Sequence, residues 1–439
     1  MNSSSIKLAV DMSFFHTDFL WMDPGGWQGH RYYDPTFYED AARTAARGVF
    51  DLIFFGEAAE TPESYGGDHR AAVEYGIRWP KHDMMPMIPV MARAAENVGF
   101  GITMSTTYHH PFHVARLFAS LDWQTGGRMA WNSVTSAFKN EGANWGFDPL
   151  LPKDERYAMA HEHMEVVAKL WASVEADALV YDRASGRFAD PDKVTLIHHR
   201  GDRFSVRGPL PVLPSPQGHP VVIQAGQTGP GLDLAGRFAQ MQFAINRTVD
   251  SMRTHRAGLD EALARHGRKP ADCGVWWAIR AQVCSPAEAE RRDREFMDRL
   301  PPFAGRVMLS SVFGVDFSTV DGRTPLGEFV EQVKAQRGHF GIFEDAVRTS
   351  DPATSVEEFG RAYFVDQAAR VVGTPAQIAD QLMEMHEATG ENGGFMLEGA
   401  IAVPRELVDF VDFVVPELQR RGVMKREYAG STLRANLEA

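Results

Sequence analysis

The stretch GFGITMSTTYHHPFHVARLFASLDWQTGGRMAWNSVTS, residues 99–136, reads as one strand–helix–strand unit. A short apolar run, Gly99–Thr106, comes first. Val114, Leu117, Phe118 and Leu121 then recur at i, i+3, i+4 and i+7, the period of a helix with one buried face. A second apolar run, Arg128–Val134, follows. Two strands joined through a helix lie parallel, because only a crossover of that length returns the chain to the same sheet edge.

The same alternation extends in both directions. Further strand candidates are Ile6–Ser13, Phe50–Phe55, Pro220–Ala225, Gln240–Ala244, Val275–Val283 and Gly394–Leu397. Helices are signalled by Asp34-Pro35, by Met164, Val167, Ala168 and Trp171, by Ile378, Leu382 and Met385 after Thr374-Pro375, and by Leu407, Phe410, Val411, Val414 and Leu418. Eight strands mostly separated by helices predict the α/β class and a (β/α)8 TIM barrel; a doubly wound open sheet is the alternative. The stretches 177–218 and 300–355 break the alternation. Residues 1–439 therefore read as one barrel domain with two insertions, expected at a substrate mouth or an oligomer contact, and a C-terminal tail at 422–439.

Composition narrows the function. With 439 residues, 44% of them hydrophobic, the chain buries a sizeable core. Its 45 basic against 58 acidic residues, net charge -13, argue against a nucleic-acid surface and against steering of polyanionic substrates. No apolar run is long enough to span a membrane, and Met1–Ser5 lacks the character of a signal peptide. The two cysteines, Cys273 and Cys284, are too few for a disulfide framework, so a cytoplasmic location is expected.

Four segments carry candidate chemistry. In PVVIQAGQTGPGLDLAGRFA (220–239), Gly226, Gly229 and Gly231 lack the spacing of a dinucleotide fingerprint. A strand, a sharp turn at Gly226 and a helix starting near Thr228 instead make a seat for phosphate from the Gln227 and Thr228 amides and the Thr228 hydroxyl. An ordinary turn capped by Thr228 is the other reading. His109, His110 and His113 suggest a metal, but Pro111 interrupts the local helix and no carboxylate stands at ligand spacing, so no metal is expected; His161 and His163 point to different faces. Asn132, at the end of its strand, both donates and accepts, which suits a flat heteroaromatic ring or simply ties down a loop. Phe14, Phe15 and His16 form an aromatic wall with one imidazole, or a packed core segment.

Taken jointly, FDLIFFGE (50–57), residues 105–136 and 154–171, PQGHPVVIQAG (216–226), VVGTPAQIADQL (371–382) and the Tyr428–Leu437 tail resemble the bacterial luciferase-like superfamily of flavin-dependent enzymes. The similarity is closest to the large components of the nitrilotriacetate, dibenzothiophene-sulfone and long-chain alkane monooxygenase family. That resemblance implies reduced FMN held at the C-terminal mouth of the barrel and supplied by a separate NAD(P)H:flavin reductase. It further implies O2 activation through a C4a-(hydro)peroxyflavin and oxygenation of a small organic substrate at sulfur, nitrogen or carbon. Tyr157, Gly226, Gln227 and Thr228 become phosphate contacts; Glu57, Thr103, Ser105 and Asn132 become contacts to the ring or ribityl chain. Phe15, His16, Phe55, Asn132 and Phe243 surround the reacting face. A homodimer or homotetramer is implied too. Glu57 stands where relatives often carry Asp, and GENGGFML (390–397) replaces a more acidic turn. A deazaflavin-dependent dehydrogenase, a non-catalytic flavin-binding protein and a metal-dependent hydrolase on the three histidines are the competing readings.

Overall fold

Eight parallel strands close into a ring in a computed structural model that describes residues 5–23, 31–329, 347 and 350–439. They are β1 (Lys7–Asp11), β2 (Leu52–Phe55), β3 (Gly99–Ser105), β4 (Met129–Val134), β5 (Val221–Gln224), β6 (Met241–Ala244), β7 (Gly274–Val283) and β9 (Gly393–Leu397). Neighbours follow chain order, and the ring closes where β9 pairs with β1, Val10 opposite Leu397. All eight strands fall on the runs read from the sequence. A further strand, β8 (Ala369–Gly373), was not among them; it pairs only with the far half of β7, from Ile279 to Val283, and stands outside the ring.

Each strand alternates between two cores. Ala9, Leu52, Phe54, Ala130, Val221, Ile223, Met241, Trp276 and Met396 fill the lumen. Leu8, Val10, Ile53, Phe55, Phe100, Ile102, Trp131, Trp277 and Phe395 pack outward against the helices. Those helices carry the expected caps. Asp34 accepts from the Thr36 amide ahead of Pro35–Arg47, and Thr374 forms a capping box with Gln377 ahead of Pro375–Ala388. Pro111 does not break a helix: it opens Pro111–Gln124 at the first turn, where a missing N–H costs nothing, and the His110 ring accepts from the Phe112 amide as its cap.

The two insertions differ in place. The segment 177–218 precedes β5 and forms two small antiparallel hairpins, Leu179–Asp182 with Arg187–Ala189 and His199–Arg200 with Ser205–Val206. Glu162 anchors the second hairpin to the flank of the barrel by accepting from the Arg203 and Phe204 amides, each at 2.9 Å. That puts it away from the mouth. The described part of 300–355 instead builds a separate apolar cluster (Val307, Leu309, Phe313, Phe317, Phe329) with Phe19, Ala72 and Ile77 from the loops after β1 and β2, and so roofs the mouth. Residues 330–346 and 348–349 of that insertion, and Met1–Ser4 of the N-terminal reading, lie outside the described residues. Among the described residues no helix is long and apolar enough to cross a membrane.

The C-terminal tail closes the opposite end. Leu433, fully buried, enters the lumen from below, its amide bonded to the Gly127 carbonyl, while Arg434 donates to the Gln217 and His219 carbonyls at 3.2 and 3.0 Å. Lys7 reaches the Asn436 carbonyl. Leu433→Ala removes the plug and leaves a cavity, so chemical denaturation should show a loss of about 3 kcal/mol; an unchanged midpoint would mean that the barrel floor is held by other contacts.

Candidate active site

The turn read from the sequence as a phosphate seat is formed by close packing of backbone on backbone. The turn after β5 brings Gly226 so near Gly231 that a side chain at either would collide: a Cβ on Gly226 would lie 2.6 Å from Gln224 Nε2 and 2.9 Å from the Tyr157 hydroxyl. A ten-residue helix, Gly229–Phe238, then begins with Thr228 at its cap position, but the Thr228 side chain makes no capping bond. The simple capped-turn reading is thus not realised, and the hydroxyl faces Tyr157, whose own hydroxyl also interacts with Thr135. The Gln227 side chain turns away to the loop after β6, donating to Asn246 Oδ1 at 3.1 Å and accepting from the Ile245 amide at 3.2 Å. Its contribution to the seat is therefore its backbone amide. Beneath the turn, His255 bonds Gln242 at 2.8 Å, and Gln242 donates to Gln224 Oε1 and to the Gly226 carbonyl at 3.1 and 2.9 Å. These three supports were missed by sequence reading.

Thr103 and Asn132 are brought together at the top of the lumen, Asn132 Nδ2 donating to Thr103 Oγ1 at 2.7 Å. Asn132 Oδ1 is sealed from solvent with no partner, an acceptor whose bond is unmade. Ser105, one pleat further, accepts from the Thr107 amide at 3.1 Å and so shapes the loop. Phe243 faces Phe54 at a centroid distance of 5.6 Å. Phe55 does not share that face. It belongs to the outer core, because side chains alternate and Leu52 and Phe54 take the lumen. Counting the alternation from Leu52 is the signal that identifies Phe54. An unpartnered Trp276 Nε1 completes this layer.

The loop after β1 supplies the remaining groups. Phe15 is packed into the outer core, stacked on Phe37 at 4.7 Å and edge-on to His16 at 5.0 Å, so it supports the imidazole from behind. His16 stacks on Tyr32 at 4.7 Å, and its Nε2 is 2.7 Å from the Pro80 carbonyl. That contact requires Nε2 to carry the hydrogen, which leaves buried Nδ1 as an unpartnered acceptor. Burial pushes the His16 pKa down to about 4, so the ring is neutral. Beside it, burial raises Glu57 to about 7 despite Lys81 Nζ at 3.6 Å. Lys81, itself lowered by burial, donates to the Gly56 carbonyl and lies 3.9 Å from the Phe14 ring centre. Asp11, raised by burial to about 6, and Glu398, raised well above the carboxylate range by burial and by Asp11, share a proton across the β1–β9 junction. Sequence reading found Glu57 but not Asp11, Lys81 or Glu398, which lie far apart along the chain.

The histidines of the third loop have structural partners. His163 Nε2 is 3.0 Å from the His109 carbonyl, and burial lowers its pKa to about 3. Among the described residues no three histidine, cysteine or carboxylate side chains gather as a metal site.

A parallel barrel with a glycine-built turn and helix N-terminus after β5, an unmade amide acceptor in the lumen and an aromatic layer has the architecture of the barrel enzymes, whose sites lie at this end of the strands. Residues 17–392 match the family described as luciferase-like monooxygenase. The chain is 37% identical over 409 residues to the dibenzothiophene-sulfone monooxygenase of Rhodococcus erythropolis, covering 91% of this chain and 89% of that one. It is 35% identical over 423 residues to nitrilotriacetate monooxygenase component A of Aminobacter aminovorans, covering 94% and 93%. Among solved structures, that of a riboflavin lyase with modified FMN and riboflavin superposes with a TM-score of 0.85 at 26% identity, over 99% of this chain and 96% of that one. The chain belongs to the luciferase-like monooxygenase family.

His16 sets a pH signature. Its ordinary pKa is 6.5 and its folded value about 4, so between those values the unfolded chain takes up a proton that the native state refuses. Stability contributed by neutral His16 is thus complete above pH 6.5 and falls as pH drops towards 4. Urea unfolding at pH 7 and pH 4.5 should show the wild type losing more stability than His16→Asn over that interval; parallel losses would mean that the imidazole is not held neutral.

Proposed function

We propose that the chain is the oxygenase component of a two-component monooxygenase, using reduced FMN from a separate NAD(P)H:flavin reductase and O2 to oxygenate a small organic substrate at sulfur, nitrogen or carbon. The observation that carries this reading is the turn at Gly226–Gly229, where the Thr228 hydroxyl makes no capping bond and meets the Tyr157 hydroxyl, and where a Cβ on Gly229, at the helix N-terminus, would meet nothing within 4 Å. Those residues fit a phosphate monoester. The unmade Asn132 acceptor fits a ring N–H of an isoalloxazine, and family membership supports flavin as the ring.

Reduced FMN, when bound, supplies the electrons that activate O2. The chain's own residues do the rest. Gln227 and Thr228 amides with the Thr228 and Tyr157 hydroxyls hold the phosphate. Asn132, locked by Thr103, orients the ring. Phe54 and Phe243 line the lumen with apolar surface and exclude water, which suppresses loss of activated oxygen as hydrogen peroxide. His16, held neutral by burial, presents Nδ1 as a hydrogen-bond acceptor towards the reacting centre and keeps its own N–H on the Pro80 carbonyl.

Thr228→Val and Tyr157→Phe each remove one bond to a charged group and should weaken FMN binding by about 1 kcal/mol, about fivefold in Kd. Gly226→Ala, which drives a methyl into Gln224 and Tyr157, should weaken it further. Flavin fluorescence titration measures all three, and wild-type affinity in every variant would put the phosphate elsewhere. Stopped-flow mixing of the reduced-FMN complex with O2 tests the chemistry: a flavin absorbance distinct from both the reduced and oxidised forms is expected, and direct conversion to oxidised FMN counts against an oxygenase.

A further inference from the structure

We propose that Arg78 is the seat for an anionic group of the substrate, a single carboxylate or sulfonate, and thereby selects the substrate class. The inference rests on the barrel mouth being the substrate chamber.

The Arg78 guanidinium carbon lies 5.3 Å from the centre of the Phe14 ring and 4.9 Å from that of Phe138. Phe14 follows β1 and Phe138 follows β4, so the cation is clamped between loops from two sides of the mouth. It makes no bond through its side chain among the described residues. Nε is sealed from solvent without a partner, and the one hydrogen bond of Arg78 is donated by its backbone amide to Asp18 Oδ1 at 2.8 Å. Three other arginines, Arg156, Arg256 and Arg370, also have an unpartnered buried Nε, but each bonds through another guanidinium nitrogen: to the Leu151 carbonyl, to the Cys273 carbonyl and to Gln282. Arg78 lacks even that. Buried donors are seldom left without acceptors, and a guanidinium packed against two rings with no hydrogen-bond partner keeps its N–H groups for a planar or trigonal oxyanion.

The backbone is held for that purpose. Arg78 has φ 51° and Asp18 φ 55°, both left-handed, and the two loops lock together because the Asp18 amide donates to the Gly76 carbonyl at 2.7 Å while Asp18 accepts from Arg78. Asp18 is a positioning residue. Its carboxylate and those of Glu60 and Glu141 feel the guanidinium, but burial raises all three, Glu60 to about 7, and none forms an ion pair with it. The neighbouring cation, Lys81, is already engaged with Gly56 and Glu57. One unengaged cation flanked by carboxyls accepts one anionic group and disfavours a polycarboxylate.

Isothermal titration of benzoate against benzamide, and of benzenesulfonate against benzenesulfonamide, tests this on the full chain, with and without oxidised FMN. Wild type should bind each anion at least about tenfold more tightly than its neutral partner. In Arg78→Met and Arg78→Gln that ratio should fall to near one, with FMN affinity unchanged; Arg78→Lys should keep part of it. A wild-type ratio near one, or a ratio kept in either neutral variant, overturns the proposal. The parallel FMN titration separates the two claims: a wild type that fails to bind FMN defeats the flavin reading, while the anion ratio is read independently on the flavin-free protein.

Discussion

Ring closure depends on a crossing at the start of β9, where the chain passes between β7 and β1 with no room for a side chain. A Cβ on Gly393 would lie 2.0 Å from the Val275 carbonyl oxygen, and one on Gly394 would lie 1.9 Å from that of Lys7. Gly393 also holds φ 120°, a conformation that residues with a Cβ rarely adopt. Because these two glycines let backbone meet backbone on both sides, β9 joins the ring in a register that sets Glu398 beside Asp11 at the opposite, upper end. The carboxyl pair at the mouth is therefore a consequence of how the barrel shuts.

From that closure the two ends of the barrel acquire different characters. Below, the tail helix seals the lumen with Leu433 and with bonds from Arg434 to backbone carbonyls. Above, the lumen ends in polar groups whose hydrogen-bonding capacity is incompletely used: Asn132 Oδ1, His16 Nδ1, Trp276 Nε1 and Glu57 Oε1. Orphaned groups of this kind are costly in a finished core and sensible where a ligand completes them. Their presence at the same end of the barrel as the glycine-built turn after β5 is what distinguishes this end from ordinary packing.

The sequence made the barrel legible because a parallel strand buried on both faces is a short apolar run between helical periods, and each of the eight ring strands has one. β8 escaped since ARVVG has only two adjacent branched apolar residues, carries an arginine, and pairs on one side only. At the site, residues that act through the backbone turn were legible, because Gly226, Gln227 and Thr228 are adjacent in the chain. Choosing Phe55 over Phe54 was a matter of parity: two equal rings stand side by side, and only the pairing partners reveal which faces inward. Asp11, Lys81, Arg78 and Glu398 were illegible for another reason. Each is an ordinary charged residue until closure of the ring and packing of the loops bring them within a few side chains of one another.

Net charge is the clearest case in which a sum over the sequence misleads about a site. The value of -13 counts every carboxyl as ionised. At the mouth that premise fails, for burial raises Asp11 to about 6 and Glu57 and Glu60 each to about 7, while Glu398 is raised well above the carboxylate range. Near neutrality several of these groups hold their protons for much of the time. The long-range field that slows an approaching polyanion and the guanidinium that meets a single anionic group inside the chamber thus have different sources. If Arg78 is the anion seat proposed above, an acidic protein with one unengaged guanidinium at its mouth discriminates by number of charges, admitting a substrate that carries one and resisting a substrate that carries several.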